Sequence, residues 1–204
     1  MNFPAYVRFG TLLVTVIFIC FFLWKKYIYN PFDKIFPRAQ AGDPDAQYQL
    51  GHIFYAGKYM PQNYEEAFHW FSAAAEQGNL RAVMALAALY NAGKGCEKDP
   101  VKAFHYYEQG AAQNDFEARI NLGVCYLQGT GTAKDETKGF EILKQAADDK
   151  SPLAQTIVAG LYERGVGTAK NQDKALHYYL LAAKQGEPRA KERIKKLHTQ
   201  LPMQ

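Results

Sequence analysis

An alanine returns at Ala46, Ala82, Ala118, Ala154 and Ala190, 36 residues apart each time, and its surroundings return with it. A fixed period of that length marks a repeat array. In such arrays each unit buries its apolar face only against its neighbours, so a unit does not fold alone. The first full copy, AQYQLGHIFYAGKYMPQNYEEAFHWFSAAAEQG, runs from Ala46 to Gly78.

Each unit reads as two helices. Asp43, Asn79, Asp115 and Ser151 stand at equivalent positions ahead of the first, and all four types accept a hydrogen bond from an unpaired first-turn N–H. Pro44 and Pro152 follow two of them, at a position that needs no donor. Apolar residues then recur at spacings of three and four, which places them on one helical face: Tyr48, Leu50, Ile53 and Phe54; Met84, Leu86, Leu89 and Tyr90; Ile120, Leu122, Cys125 and Tyr126; Val158, Leu161 and Tyr162. Gly57, Gly93, Gly129 and Gly165 close these helices. Asn63, Asp99, Asp135 and Asn171 cap the second helices, whose expected packing face is Ala67, Trp70, Ala74 and Ala75 and its counterparts, Tyr106, Ile142 and Tyr178 standing in register with Trp70.

The predicted fold is all-α, a right-handed α/α solenoid of four 36-residue helix-turn-helix repeats over 46–81, 82–117, 118–153 and 154–189. Residues 31–45 form a linker and partial N-terminal cap, because Ala39 and Gly42 are in register with Ala75 and Gly78. Glu187 and Pro188 repeat the cap pattern, so a C-terminal capping helix over about 188–198 closes the array, with its tail running to 204.

Residues 1–30 read differently. Between Arg8 and Lys25 lie sixteen uncharged residues, FGTLLVTVIFICFFLW, about 24 Å as a helix against ~30 Å of hydrocarbon. Flanking basic stems and Trp24, Tyr27 and Tyr29 suit a membrane interface. A cleaved signal would need small residues where the chain has WKKYIYNPF. The expectation is one transmembrane helix over about 9–24, in a single-pass protein of a bacterial inner membrane. Lys25, Lys26, Lys34 and Arg38 favour a cytoplasmic repeat domain; the short N-terminal tail favours a periplasmic one, which is the placement adopted.

Charge excludes one class of partner. Residues 1–38 carry five Lys or Arg and one Asp, the whole net charge of +4, and leave 19 of each sign in the rest. A neutral domain lacks the basic footprint of nucleic-acid binding; the terminal cluster from Lys184 to Lys196 reads as a solvated helix. Three cysteines make no disulfide framework.

These residues resemble the Sel-1-like repeat family, short relatives of tetratricopeptide repeats, with the pattern A-x-x-x-L-G-x-x-Y, G-x-G, then K-D-x-x-K-A and A-A. The third unit matches through Ala118, Leu122, Gly123, Tyr126, Gly129, Gly131, Lys134, Asp135, Lys138, Ala146 and Ala147. Departures include Tyr59 where later units have Gly95, Gly131 and Gly167, and Gly139, Ile142 and Lys150 in unit three, for which a looser third repeat is expected.

No nucleophile or metalloprotease motif is present. The glycine loops GKGCEK, GTGTAK and GVGTAK follow helices rather than strands, unlike phosphate loops. His69, His105 and His177 occupy one position in their respective units, spaced too widely to share a zinc ion. No enzyme, cofactor or metal is expected. The resemblance implies instead a membrane-tethered scaffold or adaptor, monomeric by itself, that binds a partner protein through the concave surface. The first-helix outer series supplies the candidate residues: Gln49, His52, Ala85, Ala88, Asn121, Val124, Gln128, Ile157 and Arg164. The same resemblance admits an immunity protein that neutralises a secreted antibacterial effector such as a phospholipase, or a cell-envelope hydrolase or penicillin-binding repeat protein.

Overall fold

The computed structural model describes residues 31–200, and among them every element is helical. α1 spans Pro31–Gln40; four helical pairs follow, α2 Pro44–Ala56 with α3 Tyr64–Glu76, α4 Leu80–Ala92 with α5 Pro100–Ala112, α6 Phe116–Gln128 with α7 Glu136–Asp148, and α8 Pro152–Arg164 with α9 Gln172–Lys184. α10, Pro188–Gln200, closes the solenoid.

Local chemistry sets these bounds. Asp43, Asn79, Asp115 and Ser151 each accept a first-turn backbone N–H with their side chains, as do Asn63, Asp99, Asp135 and Asn171 ahead of the second helices. Gly57, Gly93, Gly129 and Gly165 end the first helices in the left-handed conformation. The second glycine of each loop has a further role. A Cβ on Gly95, Gly131 or Gly167 would lie 2.0–2.1 Å from the carbonyl oxygen of Tyr64, Pro100 or Glu136, in the opening turn of the preceding unit's second helix. Unit one has Tyr59 at this place, exposed and not left-handed.

The units are joined by rings at the same 36-residue step. Phe68, Phe104 and Phe140 meet Tyr90, Tyr126 and Tyr162 of the next unit edge-on, with centroids 5.1–5.4 Å apart and planes at 82–87°, the geometry favoured by aromatic quadrupoles. Lys102, Lys138 and Lys174 lie over the same tyrosines, and Lys138 Nζ donates to Tyr126 Oη at 2.7 Å.

The second helices bury the expected small residues, Ala67 and Ala74 and their counterparts, but a different large one. The inward residue after Ala67 is Phe71, and in later units Tyr107, Leu143 and Tyr179. Trp70, Tyr106, Ile142 and Tyr178 are only half-buried; Tyr106 stacks on Tyr90 and Tyr178 on Tyr162. Unit three is not slack at its substituted positions. Gly139 stands so close to α6 that a Cβ would lie 2.7 Å from the Gly123 carbonyl, and Leu143 is fully buried. Lys150 takes the left-handed φ of 69° in the turn where Gly78 and Gly186 also have positive φ.

Both ends are covered. Phe32, Ile35, Phe36 and Ala39 of α1 pack with Leu50, Phe54 and Trp70. Ala190, Ile194 and Leu197 of α10 cover the last core cluster, and Arg193 pairs with Glu163, which also accepts from Tyr179 Oη at 3.0 Å. The Arg193 hydrogen bond, against the opposing cost of burial, holds the Glu163 carboxyl below its ordinary range; burial and the same carboxylate push Tyr179 up to about 12. Because the folded pKa of Glu163 lies below the unfolded ~4.3, the stabilisation is complete above that pH and is lost as pH falls through the folded pKa. Glu163→Gln is therefore expected to cost about 1–2 kcal/mol at neutral pH. The difference should shrink as pH falls through the folded pKa of Glu163, as read from urea midpoints at neutral and acid pH.

Among the described residues no helix is long and apolar enough to cross a membrane. Their helices run 10–13 residues, about 15–20 Å, and each presents a polar side. This overturns the expected placement as a single-pass inner-membrane protein with periplasmic repeats. The segment expected as its anchor, residues 9–24, lies outside the described residues.

Candidate functional site

A concavity lies between the first helices of units one and two. It is a groove of about 520 Å³. Its floor comes from Phe71 and Met84, its sides from Tyr48, His52 and Tyr55 of α2 and Leu80, Arg81, Ala85 and Ala88 of α4, and its far wall from Asp115 and Glu117 at the start of α6. Three consecutive first helices build it because the 36-residue step sets them side by side, and the small residues Ala85 and Ala88 leave the space that larger side chains would fill. A shallower groove of about 390 Å³ shares Tyr48, Leu80 and Arg81 and adds Asp45, Gln49 and Asn79. There Asn79 Nδ2 donates to Asp45 Oδ1 at 2.9 Å.

The nine residues singled out from sequence divide between two places. His52, Ala85 and Ala88 line the main groove and Gln49 the adjoining one. Asn121 and Val124 are half-buried and Gln128 is exposed, all on α6 beyond the groove. Ile157 packs against the last core cluster, and Arg164 folds back to donate to the Gly160 carbonyl at 3.1 Å. Sequence reasoning missed Tyr48, Tyr55, Met84 and Asp115 as groove residues. Tyr48 and Met84 carry the helical spacing of core positions, and only their half-burial separates them from Leu50 and Leu86.

The groove's electrostatics are uneven along its length. Asp45, Asp115 and Glu117 gather where the first helices begin, with Arg81 among them. At the other end Lys94 stands over Tyr55 and Tyr64 at 5.4 and 4.8 Å, and hydrogen bonding with Tyr64, followed by the charge of Tyr55, raises its pKa and keeps it cationic.

Nothing in this arrangement resembles a reaction centre. Among the described residues no group of three or more His, Cys, Asp or Glu could hold a metal ion. His69, His105 and His177 are exposed, each edge-on to a neighbouring ring. Burial raises the thiol pKa values of Cys96 and Cys125, which suppresses the reactive thiolate.

A stacked array of paired helices with an amphipathic groove defines a class, the α-solenoid. The chain belongs to the Sel1 repeat family, whose model matches residues 44–79, 80–115, 116–151 and 152–187; Sel1 repeat proteins are generally scaffolds rather than enzymes. No curated protein sequence matches the chain. Among solved structures it is similar to c5321, a protective antigen of uropathogenic Escherichia coli with this repeat fold. The identity is 27% and the TM-score 0.77, over 82% of this chain and 36% of that one. It is also similar to a Sel1 repeat protein from Oxalobacter formigenes, at 27% identity and a TM-score of 0.72, over 76% of this chain and 64% of that one. The chain thus spans less than two thirds of the length of either. An overlap with the immunity protein Pa5087 from Pseudomonas aeruginosa, at 24% identity over 72% of this chain and 67% of that one, has a TM-score of 0.41, too loose a likeness to bear on function.

Proposed function

We propose that this chain is a protein-binding scaffold without catalysis of its own, and that it holds a segment of a partner protein on its first-helix face. The observation that carries this reading is the groove of about 520 Å³ between α2 and α4, apolar along its floor and polar at its rim. A patch of that composition is what an anchoring side chain of a partner fills. His52 and Ala88 are exposed within it, whereas Ala85 and Phe71 pack against the core. Substitutions at His52 and Ala88 therefore alter the groove without disturbing the fold.

The test is capture of a cross-linked partner from native cells by the full-length chain. His52→Glu with Ala88→Glu is expected to reduce capture at least tenfold, about 1.4 kcal/mol or more, with helical circular dichroism unchanged. Equal capture by the double variant would rule out the groove as the binding site. Val124 and Ile157 are less suitable sites for such a test, since Ile157 also supports the core.

A further inference from the structure

We infer that the occupant of this groove is a short amphipathic segment whose apolar anchors are flanked by lysine or arginine at the end that meets the start of α6. This rests on the protein-binding reading above and adds the chemistry of the partner. Unmatched charge points to it. Asp45, Asp115 and Glu117 bring three carboxylates to one end of the groove and Arg81 a single cation. Among the described residues neither Arg81 nor Glu117 takes part in an ion pair. By contrast, Arg38 is paired with Asp43, Arg119 with Asp149 and Lys144 with Asp148.

Two of the carboxylates are also fixed in place. Asp45 is oriented by Asn79, and Asp115 by the backbone N–H of Ala118 at 2.7 Å. Each carboxylate retains accepting capacity for a partner's donors. The cation Lys94 at the opposite end, beside Tyr55, repels a basic group there. The groove is therefore polar in direction. From Tyr48 to Tyr55 it spans about 10 Å along α2, room for two turns of a helix, so one or two apolar anchors and one cationic flank are what it can read. Charge complementarity of this kind sets the orientation and speeds the approach of a partner more than it adds affinity.

The probe is a library of phage-displayed random 16-residue peptides panned against the full-length chain at low salt. Enriched peptides are expected to carry paired apolar residues next to lysine or arginine. A representative peptide should lose about three- to tenfold in affinity on Glu117→Lys, a loss that shrinks as salt is raised. Ala88→Glu should abolish its binding. Enriched peptides without a cationic residue, an affinity unmoved by Glu117→Lys, or no enrichment at all would overturn the inference. If peptides bind through Ala88 but ignore Glu117, the groove stands and the charge rule falls. If they bind equally to the Ala88→Glu variant, the groove itself falls.

Discussion

Ala147→Glu is expected to remove about 3–5 kcal/mol of stability, the cost of an uncompensated charge inside a packed core. Ala147 is 1% exposed and sits in the cluster that joins unit three to unit four. Its carbonyl accepts from the buried side chain of Gln155 at 3.1 Å, and Gln155 in turn accepts from Gln185 at 2.9 Å. A carboxylate at this point would break the cluster and crowd that chain of hydrogen bonds together. Because stability in an array is shared between neighbouring units, the loss should appear as early melting of units three and four rather than of α7 alone. Urea titration followed by circular dichroism checks it; an unchanged midpoint would show that the register of α7 against α8 is wrong.

Gly131→Ala is the second large effect, at about 3 kcal/mol. Two costs combine. Gly131 has φ 71°, where an L side chain costs ~1–2 kcal/mol. Its Cβ would also lie 2.1 Å from the Pro100 oxygen, so the opening turn of α5 would have to shift, at a further ~1–3 kcal/mol. Tyr59→Ala at the equivalent place in unit one supplies the control, expected within ~0.5 kcal/mol of the parent as a surface change. Equal effects at both positions would mean that the contact between the loop and the preceding unit is not what demands glycine.

Much of the fold was legible because local chemistry repeats with the period. Caps such as Asp99 and stops such as Gly129 state where each helix begins and ends, and their counterparts recur at 36-residue spacing. The inward aromatic was not legible. Trp70 and Phe71 are adjacent, as are Tyr106 and Tyr107, and Tyr178 and Tyr179; a spacing of three or four fits either member, and only packing against the first helix selects the second. Buried polar contacts escaped for a different reason. Gln47 is 7% exposed, donating to the Ala39 carbonyl and accepting from Gln77, a latch that returns at Gln155 and Gln185. A glutamine read alone looks like surface.

The candidate site was legible only in part. Helical spacing put His52, Ala85 and Ala88 on one outer face, and the structure seats them in one groove. It could not separate that groove from the rest of the face, because the distinction depends on how far α2 and α4 are splayed. Nor could it recruit Asp115, which reaches the groove from the start of the third first helix. The expected placement in a membrane rested on residues before Pro31, where the repeat period has no bearing.

Whether a partner protein sits between the first helices of units one and two is tested most directly by site-specific photo-cross-linking in native cells. A photoreactive residue would be placed in turn at His52, at Ala88, and at the exposed second-helix positions His105 and His177. A discrete adduct with another protein is expected from positions 52 and 88 and none from 105 and 177. Adducts from the second-helix positions alone would contradict binding in the groove.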